Sequence, residues 1–181
     1  MGRDKLSIEV GGVPLIQHVS DELASCCDEV LVVGGAGIRL EGVRYVAGER
    51  PGGQGPLAGI EAGLSAARFD HVFVAAGDLP FLTQAAVRYL LDRLGRDDTL
   101  AVVPRYGGRI HPLCAAYDRA LCPLVGSALD GGVRAVQGFL GGTAGVEYVG
   151  EELWRFGNPD LLLMNVNSPA DLDLARRRAR R

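Results

Sequence analysis

Val72-Phe73-Val74-Ala75-Ala76-Gly77-Asp78-Leu79-Pro80 is the stretch on which the reading of the fold turns. Its first five residues are apolar at every position, so both faces of an extended segment need cover, as in parallel strands packed between helices. Gly77 lets the backbone turn off the strand, and Pro80 biases Leu79 towards an extended conformation. Asp78 is thereby predicted just past the carboxyl end of a buried strand, where open α/β sheets bind ligands.

Reading outward, the same two patterns alternate. Towards the N-terminus, Pro14 suits a first helical turn, and Ile16, Val19, Leu23 and Cys26 or Cys27 follow helical spacing. Residues 30–33 form a short apolar run ended by Gly34-Gly35, predicted as a buried strand, and residues 43–46 are a weaker strand candidate. A glycine- and proline-rich loop over 47–55 precedes a helix over 56–67. Towards the C-terminus, Thr83 suits the cap of a helix whose stripe is Val87, Leu90, Leu91 and Leu94. Strands are predicted at 100–103, 113–117, 146–149 and 161–164, with a less regular helical region over 118–140. Ser168-Pro169-Ala170-Asp171 supplies an N-cap, a first-turn proline and a box acid for a closing helix.

Alternating elements of these lengths specify one three-layer α/β/α domain with a mostly parallel sheet, spanning residues 1–181. The order lacks one part. The first strand of such a sheet normally precedes the first helix and lies centrally, yet here the chain starts with a loop and no strand is predicted before Pro14.

Composition narrows the function. A hydrophobic content of 48% with 23% charged residues suits an ordinary globular domain. The net charge of −3 argues against a generic nucleic-acid binder, and the arginines at 176–178, 180 and 181 read as a helix end favoured by the dipole. No apolar run reaches the length of a membrane span and no signal peptide is visible. Cys26, Cys27, Cys114 and Cys122 have neither CxxC nor zinc spacing, so buried, reduced thiols in a cytoplasmic protein are expected.

Asp78 is the sharpest chemical candidate, because a fixed carboxylate at a cleft suits Mg²⁺, which takes one or two acids with phosphate and water. Residues 48–59 are too glycine-dense for a simple connection, and glycines permit close backbone approach to a ligand. A Walker A loop is excluded, since no Gly-Lys-Ser or Gly-Lys-Thr exists. Gly35-Ala36-Gly37 lacks the third glycine of a dinucleotide fingerprint, Leu40 standing there. Asn165 and Asn167 alternate across Val166 and would face one side of a strand end. Arg109 and His111 suit an anionic substrate, or a structural role for the histidine. Lys5 is the only lysine among 19 basic residues, and lysine is a compact point charge that phosphate sites use.

Together these segments resemble the molybdenum cofactor guanylyltransferases. Met1-Gly2-Arg3-Asp4-Lys5 is similar to the tail of the family's glycine-rich head, and Gly12-Val13-Pro14-Leu15 with His18-Val19 to the segment after it. Gly55-Pro56-Leu57-Ala58-Gly59 resembles the family's Gly-Pro-Leu-Ala-Gly loop, Asp78 falls on its metal-binding aspartate, and Asn165-Val166-Asn167-Ser168-Pro169 on its Asn-Val-Asn-Thr-Pro. The family's leading Leu-Ala-Gly-Gly loop and the strand carrying it have no counterpart in these 181 residues, which is where the element order lacks its opening strand; a start codon placed too late would account for both. A family asparagine is absent around Val33-Gly34, and the acid expected before the glycine loop is present only as Glu49.

The resemblance implies a Rossmann-like nucleotidyltransferase that moves GMP from GTP to molybdopterin, with Mg²⁺ on Asp78 and Lys5 at the triphosphate. It further implies a nucleotide pocket shaped by Glu49, Gly55, Pro56 and Leu57, with Asn165, Asn167, Arg109 and His111 at or behind the second substrate. Cofactor-delivery proteins or molybdoenzymes are implied as partners. A cytidylyl- or sugar-phosphate nucleotidylyltransferase, and a catalytically dead homologue that binds the pterin or a partner enzyme, are the alternatives.

Overall fold

The computed structural model describes residues 5–34, 39–48, 50, 55–96 and 98–179. A 3₁₀ turn, Lys5–Ser7, leads into the hairpin β1 (Glu9–Val10) and β2 (Val13–Pro14), then α1 (Leu15–Ala24), β3 (Leu31–Val33), β4 (Arg44–Val46), α2 (Pro56–Ala66) and β5 (His71–Ala75). The second half holds α3 (Gln84–Leu94), β6 (Ala101–Tyr106), β7 (Arg109–Ile110), β8 (Cys114–Asp118), α4 (Cys122–Asp130), α5 (Val136–Gly141), β9 (Val146–Val149), α6 (Pro159–Leu162) and α7 (Pro169–Ala179). Among the described residues no helix is long and apolar enough to cross a membrane.

The α/β class is as expected, and helices cover the central sheet on both sides. One hydrophobic cluster packs α3 under Val102, Ala116 and Val149, while another packs α2 and α4 over Ala101, Val103, Ala115 and Tyr117. Adjacent strand residues thus feed opposite layers, as the two-sided apolar runs require. The sheet is less parallel than expected. β5, β6 and β9 share a direction, but β8 runs antiparallel between β5 and β6. No helix separates β6 from β8; Gly107 and Gly108, both at positive φ, turn the chain in a two-residue hairpin, so the return must be antiparallel.

Other expectations change. The start is not a plain loop, because Gly11 and Gly12 at positive φ close the β1–β2 hairpin. Residues 161–164 are not a strand: Asn158 caps α6 and Pro159 starts it, and this start signal outweighs a short apolar run. Of the four free cysteines only Cys114 is buried; Cys26 and Cys27 lie half-buried beyond the end of α1.

Nor are β3 and β5 fully buried. β3 pairs only with β4 and β5 only with β8 among the described residues, and a groove of about 520 Å³ separates them. Val30, Leu31, Val72, Phe73, Leu23 and Leu91 line it. The segment 35–38, which holds Gly35-Ala36-Gly37, lies outside the described residues.

Candidate active site

The carboxyl end of β5 is fastened from three directions. Gly77 has no positive φ; a Cβ there would lie 3.0 Å from Leu6 and 3.5 Å from Ile16. The glycine is therefore needed for close packing rather than for a turn, and it brings the residue after Lys5 against the residue before Asp78. Leu79 is buried with Val19 and Leu82, which anchors the far side of the turn. Finally, Val166 N–H donates to the Asp78 carbonyl at 3.0 Å, and Asn165 Nδ2 donates to Asp78 Oδ1 at 2.6 Å.

Asp78 is only 8% exposed, and these bonds join it to a segment 87 residues away. Of the two asparagines singled out in the sequence, Asn165 is hydrogen-bonded to Asp78. Residues 165–167 form no strand; Asn167 is exposed, and its backbone N–H donates to Asp171 Oδ2 at the start of α7. Ser168 and Asp171 complete that capping box by reciprocal bonds.

Leu79 and Asn165 border a cavity of about 310 Å³ whose other walls include Pro56, His111 and Val136. The groove between β3 and β5 is larger, but it lies at the opposite, amino-terminal end of β5. The cavity beside Asp78 is the one at the strand ends where α/β sheets take ligands.

Gly55 occupies φ 81°, ψ −175°, a conformation that favours glycine, and caps α2 with Pro56 at the first helical turn. A Cβ on Gly55 would lie 3.6 Å from the Arg134 carbonyl. Pro56 lines the cavity, whereas Leu57 is fully buried and fastens α2 to the core. Glu49 lies outside the described residues, as does the Lys5 side chain.

Arg109 is exposed on β7 and lines a hollow with Arg105 and Gln137, next to the cavity and sharing Ile110 with it. Arg105 stacks over the Tyr148 ring at 3.9 Å. His111 is set differently from a cation. Burial lowers its pKa, the Tyr106 carbonyl that hydrogen-bonds the ring opposes this, and the Arg109 charge lowers it further. The imidazole is thus neutral at pH 7 and offers a hydrogen bond, not charge, and its Nε2 is buried without a partner among the described residues. Gln137 escaped the sequence reading, since nothing in its helical spacing sets it apart.

The chain matches the family model described as MobA-like NTP transferase domain over residues 1–144. It is 35% identical over 180 residues to a probable molybdenum cofactor guanylyltransferase of Pelotomaculum thermopropionicum, covering 97% of this chain and 85% of that one. Identity to the molybdenum cofactor guanylyltransferase of Syntrophotalea carbinolica is 31%, over 98% of this chain and 85% of the relative. Among solved structures, molybdopterin-guanine dinucleotide biosynthesis protein A from Archaeoglobus fulgidus superposes with a TM-score of 0.80 at 24% identity, covering 99% of this chain and 92% of that one. The 2-C-methyl-D-erythritol 4-phosphate cytidylyltransferase of Thermus thermophilus shares the fold, with a TM-score of 0.74 at 22% identity over 98% and 94% of the two chains.

Proposed function

The chain belongs to the MobA-like NTP transferases and, within them, to the molybdenum cofactor guanylyltransferases, and from this premise we propose that it transfers GMP from GTP to the molybdenum-molybdopterin cofactor. In this reaction an oxygen of the pterin's terminal phosphate attacks the α-phosphorus of GTP. The bond from that phosphorus to the bridging oxygen breaks, and pyrophosphate leaves. The nucleophile comes with the substrate, so the protein's part is alignment and charge neutralisation.

Among the described residues no three His, Cys, Asp or Glu side chains gather into a metal cage. The buried carboxylate of Asp78 fits Mg²⁺ in its phosphate-bound form, which rests on one or two acids and takes its other ligands from phosphate and water. Asp78 is the residue that would hold it, and the ion would supply charge neutralisation on the phosphate oxygens. Asn165 restrains the Asp78 carboxylate through the 2.6 Å bond. Lys5 would meet the triphosphate, since packing of Leu6 on Gly77 carries the main chain there. The loop ending at Gly55 and Pro56 would border the nucleotide, and Arg109 with Arg105 would face the anionic pterin.

The buried Asp78–Asn165 pair beside the cavity carries this reading. The test is to incubate the protein with Mg²⁺, molybdenum-molybdopterin and either GTP or CTP, following pyrophosphate and the dinucleotide. Turnover with GTP is expected. Turnover with CTP alone would replace the guanylyl by a cytidylyl assignment, and pterin binding without turnover would point to a dead homologue.

A further inference from the structure

Two arginines beside the cavity have no acid to answer them. Arg44, Arg50, Arg93 and Arg119 each meet a carboxylate, whereas Arg105 and Arg109 form no ion pair among the described residues. Arg105 is held by a ring instead. Val103 lies opposite Tyr148 in the parallel pairing of β6 with β9, and Arg105, two residues on, shares their face of the sheet. Tyr148 packs on the cluster shared with α2 and α4, and the guanidinium carbon of Arg105 stands 3.9 Å over its ring centroid. Glu147, the acid next to that ring, belongs to the opposite layer, where Arg93 of α3 takes it. Stacking and ion pairing leave a guanidinium in different states. A carboxylate neutralises the charge and occupies the fork, but a ring fixes the plane from one face and leaves the in-plane N–H donors unused. Arg105, Arg109 and Gln137 line a hollow of about 480 Å³, which adjoins the cavity through Ile110.

We propose that Arg105 binds a phosphate oxygen of the pterin and that Tyr148 is its positioning residue, acting through the plane it sets for the guanidinium. The proposal rests on the reading that the pterin is the second substrate and lies beside this hollow. Arg109 adds charge at the same place, and Gln137 offers an amide. A lysine at position 105 would keep the charge but lose both the planar stack and the two-pronged fork. A guanidinium already held in its binding orientation loses less freedom when the anion arrives, so the effect belongs to pterin affinity.

The test measures molybdenum-molybdopterin binding by fluorescence and GTP binding by calorimetry for the full chain and four variants. Tyr148→Leu and Arg105→Lys are each expected to weaken pterin binding by about five- to tenfold. GTP affinity should stay within about twofold in both. Tyr148→Phe keeps the ring face and should restore the parent's pterin affinity. The double variant, Tyr148→Leu with Arg105→Lys, should lose no more than Arg105→Lys alone, because both changes remove the same stack. A Tyr148→Leu protein that melts earlier yet binds pterin like the parent, measured well below its transition, would reduce the stack to a structural role and overturn the proposal. Tyr148→Phe as weak as Tyr148→Leu, or losses that add in the double variant, would overturn it too. If the unaltered protein binds GTP but no pterin, the guanylyl reading itself fails and the proposal falls with it. Pterin binding that none of the variants weakens leaves that reading standing and removes only Arg105 and Tyr148 from it.

Discussion

At the scale of single residues the site depends on one carboxylate and the amide that holds it. Asp78→Asn keeps the size of the side chain and the backbone bond to Val166, so the protein should stay folded while Mg²⁺-dependent turnover is lost. Pyrophosphate release against Mg²⁺ concentration, with circular dichroism as the folding control, reads this directly. Retained turnover would remove Asp78 from the metal role. Asn165→Ala removes a donor from a buried acceptor, which costs about 1–3 kcal/mol of stability and leaves the carboxylate less restrained. Its expected signature is a raised Mg²⁺ requirement, a change that loss of stability alone would not produce. His111 behaves as a neutral hydrogen-bonding group, so His111→Gln should preserve pterin binding better than His111→Lys; the reverse order would show that charge is needed there.

Elements are held by caps and by a few ion pairs at their ends. Thr83 Oγ1 accepts from Ala86 N–H at the start of α3, and Thr83→Ala should cost about 1 kcal/mol in urea unfolding. Near β3 and β4, Glu29 accepts from the Arg44 guanidinium, which also donates to the Ala66 carbonyl at the end of α2. Burial pushes the Glu29 pKa up, but the Arg44 bond and the Arg68 backbone N–H outweigh it and hold the acid below its ordinary 4.5. A lowered folded pKa means stability that is fully present above the unfolded value and lost as pH falls through the folded one. Glu29→Gln should therefore be less stable than the parent at pH 7, and the difference should shrink as pH falls through the lowered folded pKa of Glu29. A difference that persists unchanged at low pH would exclude the ion pair as its cause.

At the scale of the whole molecule, the groove between β3 and β5 leaves one edge of β5 without a strand partner among the described residues. The Ala76 N–H donates to the Leu113 carbonyl on the β8 side, so by alternation the amides of Phe73 and Ala75 face the groove. Hydrogen exchange should be faster at these two than at Val72 and Val74. Equal protection of all four in the 181-residue chain would show that the groove is already filled. The apolar runs, the capping sequences and the turn at Gly77 to Pro80 were legible in the sequence because they are local: periodicity and cap chemistry act within one or two helical turns. The same holds for the candidacy of Asp78, which needs only a strand and its carboxyl end. Which residues meet Asp78 was a different matter. Asn165 and Asn167 look equivalent in the chain, and only the fold shows Asn165 Nδ2 bonded to Asp78 beside the backbone bond from Val166, while the Asn167 backbone N–H joins the cap of α7. The reversal of β8, the helical turn at α6, the burial of Leu57 and the stack of Arg105 on Tyr148 likewise arise from packing between segments far apart in sequence. Local preference determined the elements and their ends; long-range contacts, each stronger than the small differences between neighbouring side chains, decided which of those ends form the site.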